Sequence, residues 1–242
     1  MKIDALRAEM EEDLSWRIDE IRFFQNTCAS VGSEVGQQRF RKALVVLLYA
    51  NLEGFAKLVF TTYVSAINAE AVACQEANLA IAAASLSDVF RYLRDGNGRV
   101  PDYKKLKLPD DAQLQKFARD REFLSQALEL MQRPVAIPDK VTSTEANLGR
   151  DVLRKILYRL GLPHEDFEDI EPDLERLRNL RNNIAHGDAK QGISKEDYEK
   201  LRDSTFRIMR DLMLRVTHAL LSKQFLLSTA DTYEANRADF FM

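Results

Sequence analysis

Residues that break regular structure are scarce in this chain. Its 242 residues include nine glycines and six prolines, about half the average usage of roughly 7% and 5%. That excludes the many tight turns of a sandwich or barrel and leaves helices joined by few connections. Cysteine is scarce too. Cys28 and Cys74 are too few for a disulfide framework and lack metal-ligand spacing, so a reducing, cytoplasmic setting is expected. The opening MKIDALRAEMEEDL has neither the basic start nor the apolar run of a secretory signal. Ala43 to Ala50, the most apolar segment, has eight residues, against the roughly 20 that cross a bilayer, so no membrane partner is expected. There is no excess of positive charge: 35 Lys and Arg face 38 Asp and Glu, net −3. A protein that coats nucleic acid by bulk charge is thereby excluded. No Gly-rich phosphate loop, HExxH or Gly-x-Ser-x-Gly pattern occurs, and no cofactor or metal is expected.

What is present is helical periodicity. Ile3, Leu6, Met10, Leu14, Ile21 and Phe24 recur at three- and four-residue steps, which predicts an amphipathic helix from Ile3 to about Ser30. Trp16 reads as a core anchor between the first helices. A turn, Val31 to Gly36, precedes a helix from roughly Gln38 to Asn68, about 45 Å long and apolar on most sides like the centre of a bundle. Ala-rich Ala69 to Arg94 favours helix throughout, until DGNG stops it. Leu114 to Met131 returns to helical period, and Pro134 and Pro138 mark a loop. Thr144 to Leu160 reads as a helix ended by Gly161 and Pro163. A helix from about Pro172 to Ala185 has Pro near its first turn and Gly187 past its end. Ser194 opens the last, with Asp197 three residues on, running to about Leu227. No alternating strand pattern appears. The fold class is all-α: a bundle of long antiparallel helices, one domain over 1–227 with a helical and loop insertion at about 95–147. A mobile tail is expected at 228–242.

The chemistry concentrates in LRNLRNNIAHGD, Leu177 to Asp188. Arg181 and His186 are five apart, roughly 140° around and about 7.5 Å along an ideal helix. Gly187 leaves His186 at the cap, where its ring need not follow the helical direction, so the two side chains can converge. Arginine offers a phosphate two parallel hydrogen bonds and a permanent charge. Histidine, with a reference pKa of about 6.5, moves protons near neutral pH. The bare spacing is weak: Arg159 and His164 repeat it across a Gly and a Pro that spoil the helix. A capping histidine near the helix C-terminus, where positive charge is favoured, explains His186 as well.

Glu53 and Lys57 are four apart in the favourable order for a helix pair, among largely apolar neighbours. Either they form an internal salt bridge that fixes helix register, or Glu53 leans into the Arg181/His186 cleft and orients one of them; Asn51 could do the same. From Arg91 to Lys107 six basic residues (Arg91, Arg94, Arg99, Lys104, Lys105, Lys107) stand against two acids. With Tyr92 and Tyr103 for stacking they read as an RNA guide or as a solvated helix end. His164 and His218 read as structural or surface residues.

RNNIAHG resembles the R-N-x-x-A-H signature of the HEPN superfamily, the higher eukaryotes and prokaryotes nucleotide-binding domains. LSWRIDEI at Leu14 to Ile21, ALVVLLYANLEGFAKLVFTTYV at Ala43 to Val64 and EANLGRDVLRKILYRLGL at Glu145 to Leu162 are similar to segments of its MAE-type prokaryotic branch. The resemblance spans roughly residues 9 to 220 and departs nowhere from the pattern at the motif.

It implies a helical bundle and, in active members, a metal-independent endoribonuclease working as a homodimer, with paired motifs meeting across the two-fold axis. Many such proteins are toxins of toxin–antitoxin or phage-defence systems. By position, Arg181 is the phosphate-contacting arginine, His186 the catalytic histidine and Asn182 the polar residue after the arginine; the reading of the Glu53 and Lys57 pair adds Glu53 in support. Lys57, Asn183 and Asn51 are the candidate substrate contacts. RNA, a second copy and an antitoxin are the expected partners. Other members are inactive RNA-binding or scaffold modules, so a non-catalytic RNA- or protein-binding module in a defence complex is the alternative.

Overall fold

The computed structural model describes residues 2–95, 99–100, 103–109 and 111–228. Eight α-helices and four short 3-10 turns occur among these residues, with two isolated β-bridges and no strand. The expected tail falls largely outside them.

Contacts divide the chain into two compact units, Met1–Ala66 with Asp139–Lys223, and Ile67–Pro138 with Gln224–Met242. The insertion read from the sequence, 95–147, overlaps the second unit and ends inside the first.

In the first unit, α1 (Ile3–Ala29) and α2 (Glu34–Glu70) form an antiparallel hairpin. Cys28 near the turn contacts the carbonyl of Gln37, while Glu20 and Arg17, further back, reach Asn51. The core of α2 includes Leu44, Val45, Leu48, Leu52, Phe55, Val59 and Phe60, all essentially inaccessible. Burial on several sides is what its continuous apolar sequence predicts. By length and composition α2 could cross a membrane, yet 56% of its most apolar window is buried within the fold, as in the core helix of a bundle.

Helix α1 buries Met10, Leu14, Ile21 and Cys28. Trp16, expected in the core, is instead 56% exposed. Two residues from Leu14 is about 200° around a helix, so the indole leaves the buried stripe and lies on the opposite face, near the Arg17 guanidinium.

The same unit contains α6 (Arg150–Arg159), α7 (Glu171–Ala185) and α8 (Lys195–Leu221). Arg154 on α6 grips Glu171 at the start of α7 by two hydrogen bonds of 2.6 and 2.8 Å. Arg207 on α8 pairs with Asp173, and Arg215, two turns on, with Asp169, so α7 and α8 run antiparallel. The Ser194 hydroxyl accepts from the Asp197 amide and donates to its carboxylate, capping α8 where expected. The helix stops at Leu221 rather than Leu227.

The second unit holds α3 (Leu79–Ser85), α4 (Ser87–Arg94) and α5 (Ala112–Gln132). The unbroken helix expected from Ala69 to Arg94 is divided. Ala71 takes a left-handed φ of 52°, Val72 and Cys74 pair with the 133–135 backbone, and Asn78 caps α3 at the Ile81 amide. Alanine's helix propensity is worth only tenths of a kcal/mol per residue, and these hydrogen bonds outweigh it.

Candidate functional site

Helix α7 ends as its sequence dictates. Gly187 adopts a left-handed φ of 82°; its amide bonds to Ile184, and that of Asp188 to Asn183, at 3.2 and 2.9 Å. These two bonds are a Schellman ending, with His186 as the C-cap residue. The following loop is tied to α2: Ile193 donates to the Gln38 carbonyl, Arg41 donates to that of Ile193, and Lys42 donates to that of Ala189. His186 is exposed, and its ring makes no hydrogen bond among the described residues.

Arg181 points to a different set of groups. Its guanidinium lies over the Tyr49 ring, 3.9 Å from the centroid, and an Nη donates to the Ala146 carbonyl at 3.3 Å. Its Nε is buried without a hydrogen-bond partner. Tyr49 is buried and donates to the Leu148 carbonyl at 3.2 Å. The Leu148 amide donates to Glu53 Oε1 at 3.3 Å, and Asn182 Nδ2 donates to Asn147 Oδ1 at 3.4 Å. Burial pushes the Tyr49 hydroxyl above its ordinary pKa and the Glu53 charge adds to this, while Arg181 opposes both. The result is a neutral phenol and a fixed guanidinium on one platform.

The segment 144–149 joins these parts, and here the sequence misleads. Thr144 to Leu160 was expected to be helical, yet helix begins only at Arg150. Glu145 and Ala146 both take left-handed φ, 54° and 52°, which aims the Ala146 carbonyl at Arg181. Gly149 lets Arg178 pack closely: a Cβ there would sit 2.6 Å from its Nη1. Ala146, Asn147, Leu148, Tyr49 and Arg178 were not among the candidates. Asn147 and Gly149 inside a presumed helix are the sequence signals for the break.

The remaining candidates separate. Glu53 joins the cluster through Leu148. Lys57 is exposed and makes no ion pair with Glu53 among the described residues, so the internal salt bridge does not form. Both line an open groove of about 730 Å³ with Thr61, Lys140, Ser143 and Ala146. Asn51 lies elsewhere: it is buried, donates to Glu20 and the Leu47 carbonyl, and accepts from Arg17. It ties α1 to α2 and is not available to a substrate. Asn183 is exposed at the end of α7, where its carbonyl accepts from Asp188 and Ala189. Arg181 and His186 share no hydrogen bond within one protomer.

The basic run belongs to the second unit. Arg91 pairs with Asp88 and Tyr92 donates to Glu122. Tyr103 is buried and donates to the Pro109 carbonyl, so it offers no stacking face. Residues 96–98 and 101–102 of this run lie outside the described residues. His164 is partly exposed and paired with Glu165, and His218 is exposed on α8. No group of three or more His, Cys, Asp or Glu placed to hold a metal occurs among the described residues.

An all-α bundle that presents R-N-x-x-A-H at the end of one helix defines a HEPN-type domain. The model of the HEPN_MAE_28990-like HEPN family matches residues 6–225, and the chain belongs to this MAE-type branch of the superfamily. The domain type is a nucleotide-binding or ribonuclease-type module. No curated protein and no solved structure matches the chain.

Proposed function

We propose that the protein is a metal-independent endoribonuclease, acting in the cytoplasm as the toxin of a toxin–antitoxin or phage-defence pair. The observation that carries this reading is the state of Arg181. Its guanidinium is held by a ring and a carbonyl, neither of which neutralises it, and its Nε lacks a partner. Such a group stabilises charge that develops on phosphorus.

In the reaction, the ribose 2′-oxygen bonds to phosphorus and the bond to the 5′-oxygen breaks. The 2′-proton leaves to a base and the 5′-oxygen receives a proton, giving a 2′,3′-cyclic phosphate and a 5′-hydroxyl. His186 handles the proton and Arg181 the phosphoryl charge. Asn182 and Glu53 act indirectly, by holding the 146–148 segment that carries Arg181. A homodimer brings the exposed His186 of one copy to the Arg181 platform of the other, and Lys57 and Lys140 in the adjoining groove give the RNA backbone its path. This local placement suits a chain of net charge −3, which grips a few phosphates in one place.

Purified protein should cleave labelled RNA in excess EDTA, leaving cyclic-phosphate ends. His186→Ala should abolish cleavage and leave folding intact. Cleavage that vanishes with chelator would refute the metal-free chemistry. The exposed imidazole, unoriented by any hydrogen bond among the described residues, favours one second reading, a non-catalytic RNA- or protein-binding module. Intact RNA and undiminished cell toxicity after both Arg181→Ala and His186→Ala would select it.

A further inference from the structure

The groove beside Arg181 holds an acceptor and a donor that do not pair with each other. Glu53 and Lys57 are one turn apart on α2, in the order that favours a helix ion pair, yet none forms among the described residues. Glu53 is turned instead to the segment 144–149, where its Oε1 accepts from the Leu148 amide at 3.3 Å. That bond is the carboxylate's only one among the described residues, and the side chain also lines the groove. A carboxylate has about four lone-pair sites, so both oxygens keep acceptor capacity for whatever enters. Asp139, the other acid of the groove, is exposed. Glu53 is half-buried and held by Leu148, which makes it the preorganised acceptor.

The groove's volume of about 730 Å³ lies in the range of small-ligand sites, roughly 300–1,000 Å³. No aromatic ring lines it among the described residues. A base placed there is therefore held by hydrogen bonds at its edge and not by stacking, which tolerates every base.

We propose that this groove takes an unpaired guanine next to the scissile phosphate, with Glu53 as the residue that selects the base. The Watson–Crick edge of guanine offers two adjacent donors, N1–H and the 2-amino group, which match the oxygens of one carboxylate. Adenine and cytosine each set an amino group beside a ring-nitrogen acceptor, and uracil sets one N–H between two carbonyl oxygens. Each of these turns a lone pair towards Glu53, a repulsive element that guanine lacks. Only an unpaired base exposes that edge, so the substrate class is single-stranded or looped RNA. Lys57, exposed one turn further along α2, meets the neighbouring phosphate. Arg181, joined to the groove through Ala146, meets the scissile one. The assignment rests on the reading of this cleft as an RNA site and names the base it reads; it does not depend on the chemistry of His186.

Fluorescence anisotropy with labelled tetranucleotides tests this. Their riboses are 2′-O-methylated, which blocks attack by the 2′-oxygen and makes binding readable without cleavage. Three carry one guanine, adenine or cytosine among uracils, and the fourth is all uracil. The wild type should bind the guanine tetranucleotide about tenfold tighter than the others. Exchanging that guanine for hypoxanthine, which lacks only the 2-amino group, should remove most of the preference. Glu53→Gln keeps an oxygen for the Leu148 amide and turns its NH2 into the groove. It should lose the guanine preference while its Tm stays close to that of the wild type. Equal binding of the four tetranucleotides by the wild type overturns the assignment, even in a protein that cleaves RNA. Hypoxanthine bound as tightly as guanine overturns it too, with no variant involved. So does a folded Glu53→Gln protein that keeps the preference. Guanine preference in a protein that leaves RNA intact supports the assignment and refutes the nuclease reading instead.

Discussion

Arg181 is held by two contacts, the Tyr49 ring and the Ala146 carbonyl, and substitution can separate them. Tyr49→Phe keeps the ring under the guanidinium and removes only the hydroxyl that donates to Leu148 at 3.2 Å. Tyr49→Leu keeps an apolar side chain in the core and removes the π face. A guanidinium 3.9 Å from the centroid of a buried ring belongs in the upper half of the cation–π range, about 1–2 kcal/mol. The Ala146 hydrogen bond has a charged donor but is long, at 3.3 Å, and exposed, which sets it at the low end for charge-assisted bonds, about 1.5 kcal/mol. The ring is therefore a hold of comparable size. If Arg181 acts from this platform, Tyr49→Leu lowers kcat/KM by about 5- to 30-fold, since each 1.4 kcal/mol or so is tenfold. Tyr49→Phe stays within about threefold and loses roughly 1 kcal/mol of stability from the unmatched carbonyl. Initial rates on a fluorogenic RNA, with thermal denaturation of the same samples, give both quantities. A folded Tyr49→Leu protein with wild-type kcat/KM would refute the platform. A Tyr49→Phe protein as impaired as Tyr49→Leu would refute the role of the ring.

Three other outcomes follow from the geometry. Gly149→Ala forces Arg178 from a position 2.6 Å from the new Cβ; it should cost about 1–3 kcal/mol, read as a lower Tm, and reduce cleavage through the 146–148 segment. Lys57→Gln should raise KM for RNA with little change in kcat and should flatten the salt dependence of binding, because one phosphate contact is lost; an unchanged salt slope would exclude the groove as the RNA path. Tyr198 has a buried hydroxyl without a hydrogen-bond partner, and burial pushes it up to about 12. Because the unfolded chain ionises this phenol first, near its ordinary value of about 10, the stability linked to it is present below that pH and is lost as pH rises towards 12. Tyr198→Phe should therefore be neutral or slightly stabilising at pH 7 and should weaken the alkaline loss of stability between those values, measured by urea denaturation at each pH.

Much of the helical order could be read in the chain because helices and their ends are written locally. The apolar steps of α1 and α2, the Ser194 cap and the Gly187 stop each follow from residues within a turn or two, and all are present. Failures came where distant groups outbid local preference. An alanine-rich run breaks at Ala71 to accommodate backbone pairing with residues 133–135. A presumed helix turn at Thr144 to Gly149 opens because Glu53, Tyr49 and Arg181 take its backbone groups.

The sequence by itself determined the all-α class, the scarcity of turns, and an Arg–His motif placed at a helix end by Gly187. Only the tertiary structure decided what that motif touches. Arg181 is set on Tyr49 and Ala146, residues 132 and 35 positions away in the chain by their numbers, and no local pattern encodes contacts at such separations. Tertiary packing also moved Asn51 from candidate substrate contact to buried tie and turned Trp16 outward. Periodicity fixes which residues share a face, whereas packing decides which faces are already occupied.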